Sequence, residues 1–281
     1  MLNFALLFRN YGILLVTIGL FVVLAVTADG FATERNLRNI LDQQSMVIIA
    51  AAFMTIAIIS GNFDVSVSAV FVTAPLFGLR VENMTGNVFL AVAAALAVGL
   101  LMGAINGFIV TRLKINSFIG TLATSFMFFG AGFLVSSRSL MRPESDVYRL
   151  IARSRFLGLT SATWIAIAVV IIATILLSRT RFGRNVFAVG GNMEAARLAG
   201  VAVNRVQTTA FLLLGVAAAL AGVLNSSRSI SAQPSDDFSF VFAVLTAVIV
   251  GGTPIAGGQG ASWRPCSRLR PHQRASSSSA R

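Results

Sequence analysis

One cysteine, one histidine and one lysine are this chain's whole supply of thiol, imidazole and amine. A single cysteine, Cys266, excludes an internal disulfide and a thiolate metal cluster. A single histidine, His272, excludes a bis-histidine haem and a histidine-rich metal site. The lysine, Lys114, follows Leu113 rather than glycine, so there is no P-loop. If the protein runs on ATP, another chain must bind it. Charge is scarce as well: 11% of residues, where a soluble domain carries about 25%. The adjacent acids Asp236-Asp237 are too few for a magnesium-dependent prenyl-transfer site. Gly260-Ala261-Ser262 is only a three-residue likeness to an intramembrane serine protease. No catalytic residue, metal or cofactor is assigned, and no nucleic-acid partner is expected.

What is present is hydrocarbon. Apolar residues make up 56% of the chain, and the mean hydropathy is +0.82. Eight apolar segments lie near 10–28, 41–60, 65–79, 88–111, 117–136, 161–178, 206–225 and 238–257. Most approach the roughly 20 residues that a helical span needs. The fold class is therefore an all-α polytopic membrane bundle. The segments at 65–79 and 238–250 are short and bordered by breakers, Ser60-Gly61-Asn62 before one and Gly251-Gly252-Thr253-Pro254 after the other. Broken membrane helices are tolerated inside protein or against a watery cavity, which suits a channel or carrier. Arg9 and Val26-Thr27-Ala28 mimic a signal peptide, but the run is long and more spans follow, so an uncleaved first helix is expected.

Charge does not orient the spans. With the N-terminus inside, eight basic residues fall inside and nine outside, leaving out those after residue 261. The loop 137–160 spoils the count with five arginines that the sequence does not explain. Residues 1–261 read as the membrane domain. Residues 262–281 read as a basic Arg/Ser-rich tail that cannot bury apolar surface. That tail has two readings, a lipid-contacting cytoplasmic extension or the product of a frameshift.

Three features carry local chemistry. In Gly190-Gly191-Asn192-Met193-Glu194-Ala195-Ala196-Arg197-Leu198-Ala199-Gly200, Asn192 is an N-cap, Glu194 suits the positive helix end, and Gly200 is a stop. About two turns are marginal in water, so this helix is expected to dock on something. Gly99, Gly103 and Gly107 recur every four residues, and Gly215, Ala218 and Gly222 form a similar stripe; both suit close helix packing. Asp64 is the one carboxylate between apolar segments with almost no loop around it. It either caps the third helix or meets a permeating solute. Ser66, Asn106 and Thr121 are the polar side chains expected beside such a path.

Gly61-Asn62-Phe63-Asp64-Val65-Ser66-Val67 resembles the G-G-I-D-L-S-V-G break of permease subunits of ribose-type ABC importers, within the branched-chain amino acid/sugar permease superfamily. Asn106 to Ile115 resembles the family's N-G-x-x-V-x-x-x-x-I segment, and Asn116 to Leu122 its P-x-F-I-x-T-L. Phe182-Gly183-Arg184 through Gly200 looks like its coupling loop, and Gly251 to Gly260 like its G-G-T-x-x-x-G-G-x-G element.

The resemblance implies a multi-pass permease of the bacterial inner membrane, with a cytoplasmic N-terminus and a cytoplasmic 179–205 loop. It implies import of a pentose or related sugar or polyol. The expected partners are a cytosolic ATP-binding subunit, a periplasmic sugar-binding protein and a second permease copy, most simply as a homodimer. On this resemblance the coupling residues are Gly191, Asn192, Glu194, Ala195, Ala196, Arg197, Leu198 and Gly200. Glu194 and Arg197 would orient the helix, and Ala195, Ala196 and Leu198 would form its contact knob. The family has about ten membrane helices, so truncation after the eighth is expected here. Asn62 and Ser68 replace family glycines. An ion-coupled secondary carrier, with Asp64 as its only candidate ion ligand, is the alternative; a membrane receptor or structural subunit is a third reading.

Overall fold

The structure is a computed structural model describing residues 4–253. All eight apolar segments are helices: α1 (Phe4–Thr27), α2 (Glu34–Ile59), α3 (Val67–Thr85), α4 (Val88–Thr111), α5 (Ser117–Val135), α7 (Ser161–Arg179), α10 (Val203–Ser229) and α11 (Ser239–Val250). Three short helices, α6 (Asp146–Arg153), α8 (Arg181–Gly191) and α9 (Met193–Leu198), lie between them, with a hairpin of β1 (Arg155–Phe156) and β2 (Leu159–Thr160). Among the described residues, α2, α4, α5, α7 and α10 are long and apolar enough to span a bilayer. The tail 262–281, with Cys266 and His272, lies outside the described residues.

The sequence places the third segment at 65–79, but α3 runs to Thr85. The extra turn carries Arg80 and Glu82, which a hydropathy reading excludes. Glu82 is nevertheless fully buried. Its carboxylate accepts the backbone N–H of Glu144 at 3.0 Å and of Ser145 at 2.7 Å, so the charge anchors the start of α6.

α10 is the central post, packed by α2, α3, α4, α6 and α8. Its tightest seam is with α4, which runs antiparallel to it. A Cβ on Gly99 would stand 2.5 Å from the carbonyl oxygen of Gly215, one on Gly103 2.5 Å from that of Phe211, and one on Gly107 2.9 Å from a Thr208 methyl. The glycine stripe of α4 therefore packs against α10 of the same chain, backbone to backbone. Gly222 faces α3 instead. Pro75 lacks the N–H that would bond the Phe71 carbonyl, and Gly222 leaves room for that carbonyl to press against α10.

One end of the bundle is closed by α6. The Tyr148 hydroxyl meets Ser226 Oγ at 2.8 Å, Ser227 Oγ donates to the Tyr148 carbonyl at 2.7 Å, and Ala152 N–H donates to Ser227 Oγ at 3.0 Å. Burial pushes the Tyr148 phenol up to about 12, so it stays a neutral hydrogen-bonding group. Thr160 and Thr163 both donate to Asp42, tying the start of α7 to α2. The opposite end holds α8, α9 and the 112–116 turn.

Gly103→Ala forces a methyl into the Phe211 carbonyl and is expected to destabilise by about 1–3 kcal/mol. Gly130→Ala on α5, where a Cβ meets nothing within 4 Å, is expected to be neutral or slightly stabilising. Thermal unfolding of the two variants in detergent measures the difference; equal midpoints would disprove the tight seam.

Candidate functional site

The first half of the site is the break between α2 and α3. α2 ends in a Schellman turn: Gly61 adopts φ +84°, its N–H bonds the Ile58 carbonyl at 2.9 Å, and Asn62 N–H bonds Ala57 at 3.0 Å. The chain then crosses five residues without helical bonds. In hydrocarbon each unmet backbone group is costly, and here side chains meet them. Ser117 Oγ accepts Phe63 N–H at 3.1 Å, and Thr121 Oγ1 accepts Val65 N–H at 2.9 Å. Asp64 Oδ1 accepts Ser66 N–H at 2.8 Å and the Ser66 hydroxyl at 2.7 Å.

The network continues sideways. Asn106 Nδ2 donates to Ser66 Oγ at 2.6 Å, and Thr124 Oγ1 donates to Asn106 Oδ1 at 2.6 Å. A polar chain Asp64–Ser66–Asn106–Thr124 thus joins α3, α4 and α5. Asp64, Ser66, Asn106 and Thr121 are brought together as the sequence suggests, and all four are buried at 2% exposure or less. Asp64 closes a turn onto Ser66, the residue just before α3, and no side chain caps the helix itself. Thr124 was missed; its position three residues after Thr121, on the same face of α5, was the available signal.

Ser68 also has a defined task. Its Oγ accepts Val241 N–H at 2.8 Å, capping the first turn of α11 from across the break. Asn62 donates to Ser60 Oγ at 3.1 Å inside the α2 terminus. Both side chains are buried with hydrogen-bond partners where glycine was expected.

The second half is α9. Asn192 Oδ1 accepts Ala195 N–H at 2.9 Å. Arg197 pairs with Glu194 at 3.1 Å on the exposed side. Gly200, at φ +83°, stops the helix; its N–H bonds Arg197 and the Val201 N–H bonds Ala196, both at 3.0 Å. One expectation is corrected here. Ala196 is 5% exposed and faces the bundle, while Leu198 is 89% exposed. Six residues make fewer than two turns, so one side chain must hold the helix to its neighbours. Ala196 does that, and the free knob is Ala195 and Leu198 with Met193. α8, which the sequence left as loop, supports α9. Thr180 caps it by accepting Gly183 N–H at 3.2 Å. Val186 and Val189 bury at helical spacing, a period that was legible.

Residues 36–264 match the family described as branched-chain amino acid transport system / permease component. The chain belongs to that family. The permease is 36% identical over 258 residues to the L-arabinose transport system permease protein AraH of Escherichia coli (strain K12), covering 92% of this chain and 79% of the relative. It is 33% identical over 245 residues to the ribose import permease protein RbsC of the same strain, covering 86% and 76%. It is 31% identical over 250 residues to the Bacillus subtilis (strain 168) RbsC, covering 86% and 77%. No solved structure matches.

The permease is thus a multi-pass membrane subunit of an ABC importer, and the ion-coupled carrier gives way. Asp64→Ala strips the acceptor from both Ser66 donors in a buried site and is expected to cost about 1–3 kcal/mol. Asp64→Asn keeps one acceptor oxygen and is expected to lose less. A thermal midpoint unchanged in Asp64→Ala would show that the carboxylate does not hold the break.

Proposed function

We propose that the permease carries a pentose or a related sugar or polyol across the bacterial inner membrane, driven by a separate ATP-binding subunit that grips α9. The observation that carries this reading is the exposure of Leu198. It stands out from a helix that is capped, ion-paired and stopped, and whose opposite side is anchored through Ala196. A rigid mount with a free apolar knob is what a moving partner needs in order to pull on a bundle. Gly191, Asn192 and Gly200 set the helix ends, and Glu194 and Arg197 fix its outer face. The α9 end is cytoplasmic in this reading, and no cofactor is held by the permease itself.

The solute class follows from relatives whose names specify L-arabinose and ribose. Asp64, Ser66, Asn106 and Thr121 are proposed to line the path once the helices separate. Their hydroxyl, amide and carboxylate groups suit a polyol. At the α6 end lies a cleft of about 430 Å³ between Asn39, Asp42, Arg153, Arg155 and Arg228, periplasmic in this reading. Its arginines suit the acidic rim of a periplasmic sugar-binding protein. A pair of ATPases needs two α9 helices, so a second permease copy belongs to the assembly.

Leu198→Ala removes a knob whose burial on docking is worth about 1.5–3 kcal/mol. Capture of the ATPase subunit is expected to weaken roughly 10- to 100-fold, with uptake falling and membrane insertion unchanged. Uptake and ATPase capture equal to wild type in Leu198→Ala and Glu194→Arg would refute the coupling role.

Sidedness is tested separately. In a Cys266→Ser background, Ala195→Cys is expected to react with a membrane-impermeant maleimide in inside-out vesicles and not in intact spheroplasts. Labelling from the outside would remove α9 from the reach of any cytosolic ATPase.

A further inference from the structure

The cations at the α9 end are not spread evenly. Arg112, Lys114 and Arg205 are exposed and, with Arg197 of α9, line a depression of about 440 Å³ between the 112–116 turn, the end of α9 and the start of α10. Among the described residues none of the three has an ion pair; Glu194, the nearby acid of α9, is engaged by Arg197. Lys114 is held at φ 56°, a left-handed conformation that is uncommon outside glycine and asparagine. Three like charges are therefore kept together with nothing among the described residues to neutralise them.

A second cavity of about 470 Å³ begins at the same Arg112 and Arg205 and climbs between α4 and α10 past Phe108 to Ala104. Ala104 lies eight residues from Arg112, about 12 Å into the span at 1.5 Å per residue. Besides the cations the cavity's polar lining is Asn204, Thr209 and the pair Thr111 and Thr208, whose hydroxyls bond each other at 3.1 Å, while Phe108 and Ala104 line the upper part. Apolar side chains alternate with the cations in the turn: Leu113 is 55% exposed and Ile115 41%, and Phe108 on α4 is 56% exposed. A soluble protein docking from water would meet the cations but could not follow the cleft into the membrane. An acyl chain can.

We infer that Arg112, Lys114 and Arg205 form a binding site for the phosphate headgroup of an anionic phospholipid, whose acyl chain lies along Phe108 in the α4–α10 cleft. The site depends on the proposed function only for its side of the membrane; it needs neither solute nor ATPase. Basic pockets between membrane helices at the cytoplasmic surface have this chemistry. A lipid seated there bridges α4 and α10 beside the helix that the ATPase is proposed to grip.

The test uses the full chain purified in neutral detergent, with phosphatidylglycerol, phosphatidylcholine or inorganic phosphate added, read by thermal unfolding and by native mass spectrometry. Phosphatidylglycerol is expected to raise the midpoint and to be retained, and phosphatidylcholine is not. With each cation near the surface contributing to anionic-lipid attraction, Arg112→Gln, Lys114→Gln and Arg205→Gln together are expected to weaken retention roughly 100-fold. The charge-keeping Arg205→Lys is expected to retain lipid, which controls for folding. The proposal is overturned if phosphatidylcholine stabilises equally or if the triple variant keeps its phosphatidylglycerol. It is also overturned if inorganic phosphate reproduces the whole effect, since the site would then be one for a free anion. Loss of ATPase capture in the triple variant, with no lipid preference in wild type, would assign the cations to the protein partner instead. None of these outcomes bears on whether Leu198 couples transport.

Discussion

The backbone between Ile59 and Val67 is the constraint on which the rest of the bundle depends. A chain that leaves helical geometry inside a membrane exposes N–H groups that no water can meet. Here the partners come from elsewhere in the sequence: Ser117 and Thr121 from α5, and Asp64 from within the break itself. Asn106 and Thr124 then tie that local solution to α4 and α5. Four segments distant in sequence are thus fixed around one irregular stretch, and α11 joins through Ser68. A break so heavily braced is stable in one conformation. In the proposed transport cycle it is also where a second conformation would form, because the bonds that hold it are side-chain bonds that could exchange for a solute's hydroxyls.

Motion at such a break is useful only if the surrounding helices move as bodies. The α4–α10 seam provides that. Its glycines let two backbones meet with no side chain between them, so the contact resists deformation and transmits displacement. α10 begins just after α9 and ends under α6. In the proposed coupling, a push on α9 would enter the most buried helix directly and pass along it to the opposite end, with α4 packed on its flank. Asn106 rides on α4 within a few residues of the seam glycines Gly103 and Gly107, which places the break network one side chain away from the moving pair.

Much of this was legible in the sequence because membrane physics simplifies the text. Eight apolar runs became eight helices, and the stop signals at Gly61 and Gly200 work as read. The glycine stripe announced close packing, although not that α10 was its partner. What was hidden had two causes. Polar residues buried at helix ends look like loop: Arg80 and Glu82 made α3 seem to end six residues early. Turn chemistry also departed from preference. The hairpin after α6 turns through Leu157-Gly158, with φ of 48° and 81°, where asparagine would have signalled the same turn. For α9 the helix was readable but its orientation was not, because alanines at 195 and 196 are equivalent in a helical pattern until a neighbour selects one of them.

The loop 137–160 shows why counting charges failed to orient this chain. The positive-inside rule treats a loop as unstructured text that meets a lipid surface. This segment is instead a folded cap. Arg149 pairs with Asp146 at 2.9 Å, and Arg153 and Arg155 turn into the cleft shared with Asp42 and Asn39. Arg228, at the end of α10, bonds Asn39 at 2.9 Å in the same place. Arg149 and Arg228 are held by the protein's own groups, while Arg153 and Arg155 are exposed at the cleft. At the α9 end, by contrast, Arg112, Lys114 and Arg205 have no acidic counterpart among the described residues. A count of basic residues does not distinguish a cation built into a folded cap from one left open at the bundle's end.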